Sequence, residues 1–147
     1  MSQKLLRVAV IGYGWWGKTI VATLQSSDFI KVEMVIEQEA SVRESAKALG
    51  DKSGFTVSSS YEDAVSNPNV DAVILCTPHK LHSAQIAAAA KAGKHVFCEK
   101  PLCLTLDDAL AAVAACKAAG VVLGIGHERR FEPAIMDLRK RIANGEL

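Results

Sequence analysis

The sequence has almost no charge imbalance: seventeen Lys and Arg stand against sixteen Asp and Glu, a formal net charge of +1. The basic residues are scattered, without a patch or interleaved aromatics, so nothing points to nucleic acid as a partner. A long apolar run is lacking too. The longest of helical type, Ala109 to Cys116, is eight residues between Asp108 and Lys117, far short of the roughly 20 needed to cross a bilayer. Lys4 and Arg7 precede an apolar stretch, but it breaks at Gly12 into a glycine-rich turn, which argues against a signal peptide. Cysteine is sparse. Cys76, Cys98, Cys103 and Cys116 form no Cys-x-x-Cys pair and have no histidines at ligand spacing. This predicts reduced thiols in a cytoplasmic protein, no metal site and no disulfide framework. Solenoid repeats, low-complexity tracts and any linker before Asn144-Gly145 are also missing.

What is present is apolar residues, half of the 147, enough for a sizeable core in one dinucleotide-binding domain spanning residues 1–147. Short Val/Ile-rich runs alternate with alanine-rich segments of helical length, the pattern of strand-helix-strand units and a parallel sheet. The chain is organised around Val8 to Gly17, where a strand-type run ends in Gly12-x-Gly14-x-x-Gly17 and opens a helix. In such a turn Gly12 permits the tight bend, Gly14 lets the backbone approach a pyrophosphate, and Gly17 lets the helix pack closely on the strand. The free N–H groups of the helix then face the phosphates. Tyr13, Trp15 and Trp16, at the variable positions of this turn, are candidate contacts of the same cofactor, although the tryptophans also read as plain packing residues.

A second strand, Lys31 to Ile36, ends on Glu37, twenty residues after Gly17, where an acid can accept hydrogen bonds from the adenosine ribose. Glu39 follows, and no base occurs before Arg43. Two carboxylates would repel a 2'-phosphate, so NAD is favoured over NADP.

The rest of the chain reads as follows. One helix runs from about Trp15 to Ser26. The next starts at Ser41, with a Ser41/Glu44 capping box, and stops near Gly50. A strand over Phe55 to Ser58 precedes a helix capped by Ser60. Asp71 to Cys76 is an almost wholly apolar central strand, ended by Thr77-Pro78, with a helix to about Ala92 and a stop at Gly93. His95 to Cys98 is the fifth strand, and His95, at the end away from the crevice, reads as structural. Thr105 caps a helix that stops at Gly120, Val121 to Ile125 is the sixth strand, and a last helix spans Pro133 to Ala143. The expected fold class is α/β, a doubly wound parallel six-stranded sheet in the order 3-2-1-4-5-6, with its ligand crevice at the carboxyl ends of strands one and four.

Gly12-x-Gly14-x-x-Gly17, the acid at 37, Cys-Thr-Pro-x-x-x-His at 76 to 82, Glu-Lys-Pro at 99 to 101 and Arg-Arg-Phe-x-Pro at 129 to 133 occur in fixed order at strand ends. Together they resemble the N-terminal Rossmann domain of the glucose-fructose oxidoreductase and inositol dehydrogenase (Gfo/Idh/MocA) family, over essentially the whole chain. The resemblance implies an NAD(P)-dependent oxidoreductase moving a hydride to or from a sugar, polyol or related hydroxyl-bearing substrate. It implies that Thr77, Pro78 and His82 line the nicotinamide half, that Glu99 and Lys100 reach the nicotinamide ribose and the reacting hydroxyl, and that Arg130 sits at the edge of the site. Lys100 is the expected catalytic residue, since a partly desolvated lysine beside a carboxylate can orient and polarise that oxygen. The family's C-terminal substrate domain, which often carries the homo-oligomer interface, has no counterpart here. The chain therefore reads as a piece of a longer protein with little turnover alone. A non-catalytic dinucleotide-sensing module remains the alternative.

Overall fold

A computed structural model describes residues 5–147; Met1 to Lys4 lie outside the described residues. Six strands, β1 (Leu6–Ile11), β2 (Ile30–Ile36), β3 (Thr56–Ser58), β4 (Ala72–Leu75), β5 (His95–Cys98) and β6 (Leu123–Ile125), form one sheet in the order β3-β2-β1-β4-β5-β6. Every pairing is parallel, as the alternation of strand and helix predicts. The helices are α1 (Trp15–Leu24), α2 (Ala40–Ser53), α3 (Tyr61–Ser66), α4 (His82–Lys91), α5 (Leu106–Ala119) and α6 (Pro133–Ala143).

The sheet separates two cores. On one face Ala9, Ile11, Val73, Leu75, Val96 and Cys98 meet Ala64, Ile86, Ala89, Ala112 and Cys116 of α3, α4 and α5. On the other, Val8, Val10, Val32, Val35, Ala72 and Ile74 meet Val21 of α1 and Ala46 of α2. All four residues of β4 are buried, which explains its continuous apolar sequence: helices cover both of its faces, and full burial of each Val, Ile or Leu contributes roughly 1.5–3 kcal/mol. At the amino ends of the strands, Arg7 pins β1 beside β4. Its backbone N, Nε and Nη2 all donate to the Asp71 carboxylate, at 2.9, 3.0 and 2.9 Å.

Several boundaries differ from the sequence reading, each for a local reason. α1 ends at Leu24, short of Ser26. α2 begins one residue before Ser41, so the Ser41/Glu44 capping box does not form. Glu39 is the N-cap, and Ser41 Oγ donates to its carboxylate at 3.2 Å. Gly50 is inside α2, where a Cβ would lie 2.6 Å from the Phe55 carbonyl oxygen; the helix stops at Gly54, whose φ is +78°. Ser60 is the N-cap of α3, but its side chain caps nothing. After Pro78 the chain makes a short 3₁₀ turn, His79–Leu81, before α4. β6 starts at Leu123 because Val121 N is bonded back to Cys116 O at the end of α5, while Val122 N donates to His95 Nδ1 at 3.0 Å. That bond gives His95 its structural role. Thr105 and Gly120 bound α5 as read: Thr105 Oγ1 accepts from Asp108 N, and Gly120 takes φ +67°.

Candidate functional site

Parallel strands bring the loops after β1, β2, β4, β5 and β6 to one end of the sheet. The three glycines of the turn after β1 meet different surroundings. Gly12 has φ +91°, and a Cβ there would meet Cys76 O at 2.8 Å; a Cβ on Gly17 would lie 2.0 Å from Gly12 O. Both glycines are therefore required by the protein's own backbone. Gly14 differs. Its φ of −65° suits any residue, and a Cβ there would meet nothing within 4 Å. As N-cap of α1 it caps no N–H with a side chain, so the first turn of that helix presents free donors to open space.

Glu37, at the end of β2, is tied into this turn. Its Oε2 accepts from Tyr13 N at 2.7 Å and its Oε1 from Glu39 N at 2.9 Å. With Gly12, Gly14, Glu39, Thr77 and Pro78 it lines a cavity of about 500 Å³. Arg43, which the sequence reading noted only as the first base after the two acids, reaches back and donates Nη1 to the carbonyls of Glu37 and Gln38 at 2.9 and 2.8 Å. It fixes the loop that carries Glu37, a role that no sequence spacing announced. Thr77 Oγ1 donates to Gln85 Oε1 at 2.5 Å.

A second cavity, of about 320 Å³, continues from Cys76 and Thr77 and is lined by Trp15, Trp16, His79, Glu99, Lys100 and Glu128. Trp15 stands 80% exposed at its mouth. The Trp16 Nε1–H is buried and, among the described residues, has no acceptor. Glu99 is 9% exposed and receives one long bond, 3.3 Å, from Lys100 N. Its carboxylate lies against Gly126, where a Cβ would come within 2.6 Å of Oε1. Gly126 is thus a site residue that the sequence reading missed, legible only once β6 is known to lie beside β5. The Lys100 side chain is exposed, and the Lys100–Pro101 peptide is cis. Burial, with the Glu99 carboxylate second, pushes the Cys76 thiol up to about 12, so it stays protonated at neutral pH and is no nucleophile. Arg130 lines a further cavity of about 380 Å³ with Lys100, Gly126, His127 and Glu128. It therefore joins the crevice from the Lys100 side. No group of His, Cys, Asp or Glu among the described residues could hold a metal ion.

Two of the expected site residues turn inward. The Tyr13 side chain is 4% exposed and belongs to the core beneath α1 and α2, and its backbone N–H is given to Glu37. His82 is fully buried. Its ring nitrogens face carbonyl oxygens, Nδ1 3.0 Å from Pro101 O and Nε2 3.0 Å from Thr77 O, and it lines neither cavity. His79 lines the second cavity, its ring edge-on to His82 at 5.6 Å, and His127 lines the cavity beside Lys100 and Arg130.

Comparison with known proteins gives a consistent picture. The family described as "Oxidoreductase family, NAD-binding Rossmann fold" (GFO_IDH_MocA) matches residues 6–127. Myo-inositol 2-dehydrogenase of Thermotoga maritima is 36% identical over 146 residues, covering 97% of this chain and 42% of that protein. The 1,5-anhydro-D-fructose reductase of Ensifer adhaerens is 42% identical over 114 residues, 77% of this chain and 34% of the reductase. Among solved structures, the WlbA dehydrogenase of Bordetella pertussis, in complex with NADH and UDP-GlcNAcA, superposes with a TM-score of 0.90 at 28% identity, over 99% of this chain and 41% of that one. The chain thus spans about two fifths of the length of the relatives it matches.

Proposed function

Because this chain belongs to the Gfo/Idh/MocA family of oxidoreductases with an NAD-binding Rossmann fold, we propose that its crevice holds NAD for hydride exchange with a hydroxyl-bearing carbon of a sugar or polyol. The observation that carries this reading is the open space at Gly14, set against the uncapped start of α1. A glycine kept where neither backbone angle nor protein neighbour demands one fits a ligand that must come against the backbone. The second cavity fits the nicotinamide half: an unpartnered Trp16 N–H and an under-bonded Glu99 carboxylate offer a donor and an acceptor there.

In this reading the amides of Gly14 to Gly17 bind the pyrophosphate, Glu37 accepts from the adenosine ribose, and Thr77 and Pro78 form the floor between the two halves. Bound NAD supplies the hydride acceptor or donor. Lys100 Nζ holds the oxygen of the reacting carbinol and handles its proton, with Glu99 orienting both sugar hydroxyls and lysine. Arg130 closes the substrate side. The Glu37 and Glu39 carboxylates favour NAD, since a 2'-phosphate would meet two negative charges. The named activities of the inositol dehydrogenase and the anhydrofructose reductase support a polyhydroxylated substrate. The four unpaired cysteines support a reducing compartment, the cytoplasm.

Calorimetric titration of the 147-residue chain with NADH and NADPH tests this reading. Saturable binding with NADH at least tenfold tighter is the expected result. Tighter NADPH binding overturns the role of the two acids, and no binding of either by folded protein overturns the reading as a whole.

A further inference from the structure

We propose that His82 is a positioning residue: it ties the start of α4 to the loop after β5 and thereby sets where Lys100 stands. The side chain rises from the first residue of α4, is 0% exposed, and spans two loops that are far apart in sequence. Each nitrogen faces a carbonyl oxygen at 3.0 Å, that of Pro101 from Nδ1 and that of Thr77 from Nε2. Carbonyl oxygens only accept and a neutral imidazole carries a single N–H, so the tautomer with its proton on Nδ1 donates to Pro101 O, while Nε2 stands beside Thr77 O without a bond of its own.

The loop needs such a tie. Among the described residues, no backbone–backbone hydrogen bond involves residues 100–104. The other bonds reaching Lys100 to Leu102 are the 3.3 Å contact from Lys100 N to Glu99 Oε2 and a 4.0 Å contact from Cys98 Sγ to Leu102 O. The 3.0 Å bond to Pro101 O is thus the shortest of the contacts that reach Lys100 to Leu102, and it lies one residue from Lys100; the next tie to α4 is the Cys103–Ser83 side-chain bond. Thr77, beside Nε2, sits at the junction of the two cavities. A reacting group held loosely by an ångström can lose about a hundredfold in rate, so a buried bond from the start of α4 to Pro101 O, beside Lys100, serves its aim rather than the contents of the crevice.

Two amide isosteres separate the two ring nitrogens. The amide nitrogen of His82→Asn replaces Nδ1 and keeps the bond to Pro101 O. That of His82→Gln replaces Nε2 and reaches only Thr77 O. In the 147-residue chain without ligand, His82→Gln is expected to raise hydrogen exchange at the Lys100 amide, which donates to Glu99 Oε2, at least tenfold, while His82→Asn stays within threefold of wild type. Gln behaving as wild type, or Asn behaving as Gln, overturns the proposal. Should either variant fail to fold, the wild-type protein decides: an exchange-protected His82 Nδ1–H resonance is expected, and its absence overturns the tie. A further arm rests on the cofactor reading. NADH should protect Lys100 from amine acylation in wild type and His82→Asn but not in His82→Gln, and protection in all three overturns the positioning role. Failure of wild type to bind NADH would overturn only the cofactor reading, since the exchange measurement needs no ligand.

Discussion

Single residues in the glycine turn respond to different demands, and substitution separates them. Gly17→Ala places a Cβ 2.0 Å from Gly12 O, backbone against backbone, and should lower unfolding free energy by more than about 2 kcal/mol in a denaturant titration. Gly14→Ala, with open space around it, should stay within about 0.5 kcal/mol of wild type. Gly126→Ala would drive a methyl into the Glu99 carboxylate; the chain should fold but bind NADH at least fivefold more weakly, read by calorimetry. The buried thiols give a pH signature. Burial pushes both Cys76 and Cys98 up to about 12 from an ordinary 9.0. The folded state therefore keeps protons that the unfolded chain releases above about 9, so this contribution to stability is full below pH 9 and is lost between 9 and 12. Denaturation at pH 7.5, 9.5 and 10.5 should show that decline, and it should be shallower in the Cys76→Ala/Cys98→Ala double variant.

At the scale of elements, what a sequence can announce is periodicity and punctuation, and these carried the six strands, their order and the ends of α5 and α6. Caps were legible only where a single residue could serve. Thr105 stands directly before its helix and accepts from Asp108 N at 3.2 Å. Ser41 and Ser60 had the right residue type, but one helix starts earlier than the pattern suggests and the other is served by Ser58, whose Oγ accepts from Ser60 N at 3.1 Å. Thr105→Ala should accordingly cost about 1 kcal/mol, against less than about 0.5 kcal/mol for Ser41→Ala or Ser60→Ala, as measured by thermal denaturation. Gly50 was mistaken for a stop because its true constraint, the Phe55 carbonyl 2.6 Å from a would-be Cβ, is a contact beyond the helix end. The same limit explains the site. Gly12, Gly14, Gly17, Glu37 and Lys100 could be found by spacing and by position at strand ends. Which way a side chain turns once there is set by packing, so the inward turn of Tyr13 and His82, the outward one of His79, and the reach of Arg43 were not legible.

Over the whole molecule, the proposed site and the Arg7–Asp71 tie lie at opposite ends of one sheet. The Arg7–Asp71 pair, with Lys94 Nζ donating to the carbonyls of Asn67 and Val70 at 2.8 Å each, secures the amino ends of the strands. The carboxyl ends carry the open turn, the two adjoining cavities and the unpartnered polar groups. A fold of this kind tolerates such unsatisfied groups because the apolar layers on both faces of β1 and β4 hold the loops from below. The proposed function has the pyrophosphate of NAD occupy the open space above Gly14. Its most direct test is a side-by-side NADH titration of wild type and Gly14→Ala, followed by quenching of Trp15 and Trp16. Wild type should saturate, and the alanine variant, with an unchanged melting temperature, should bind at least tenfold more weakly. Equal binding by the two proteins would contradict that placement.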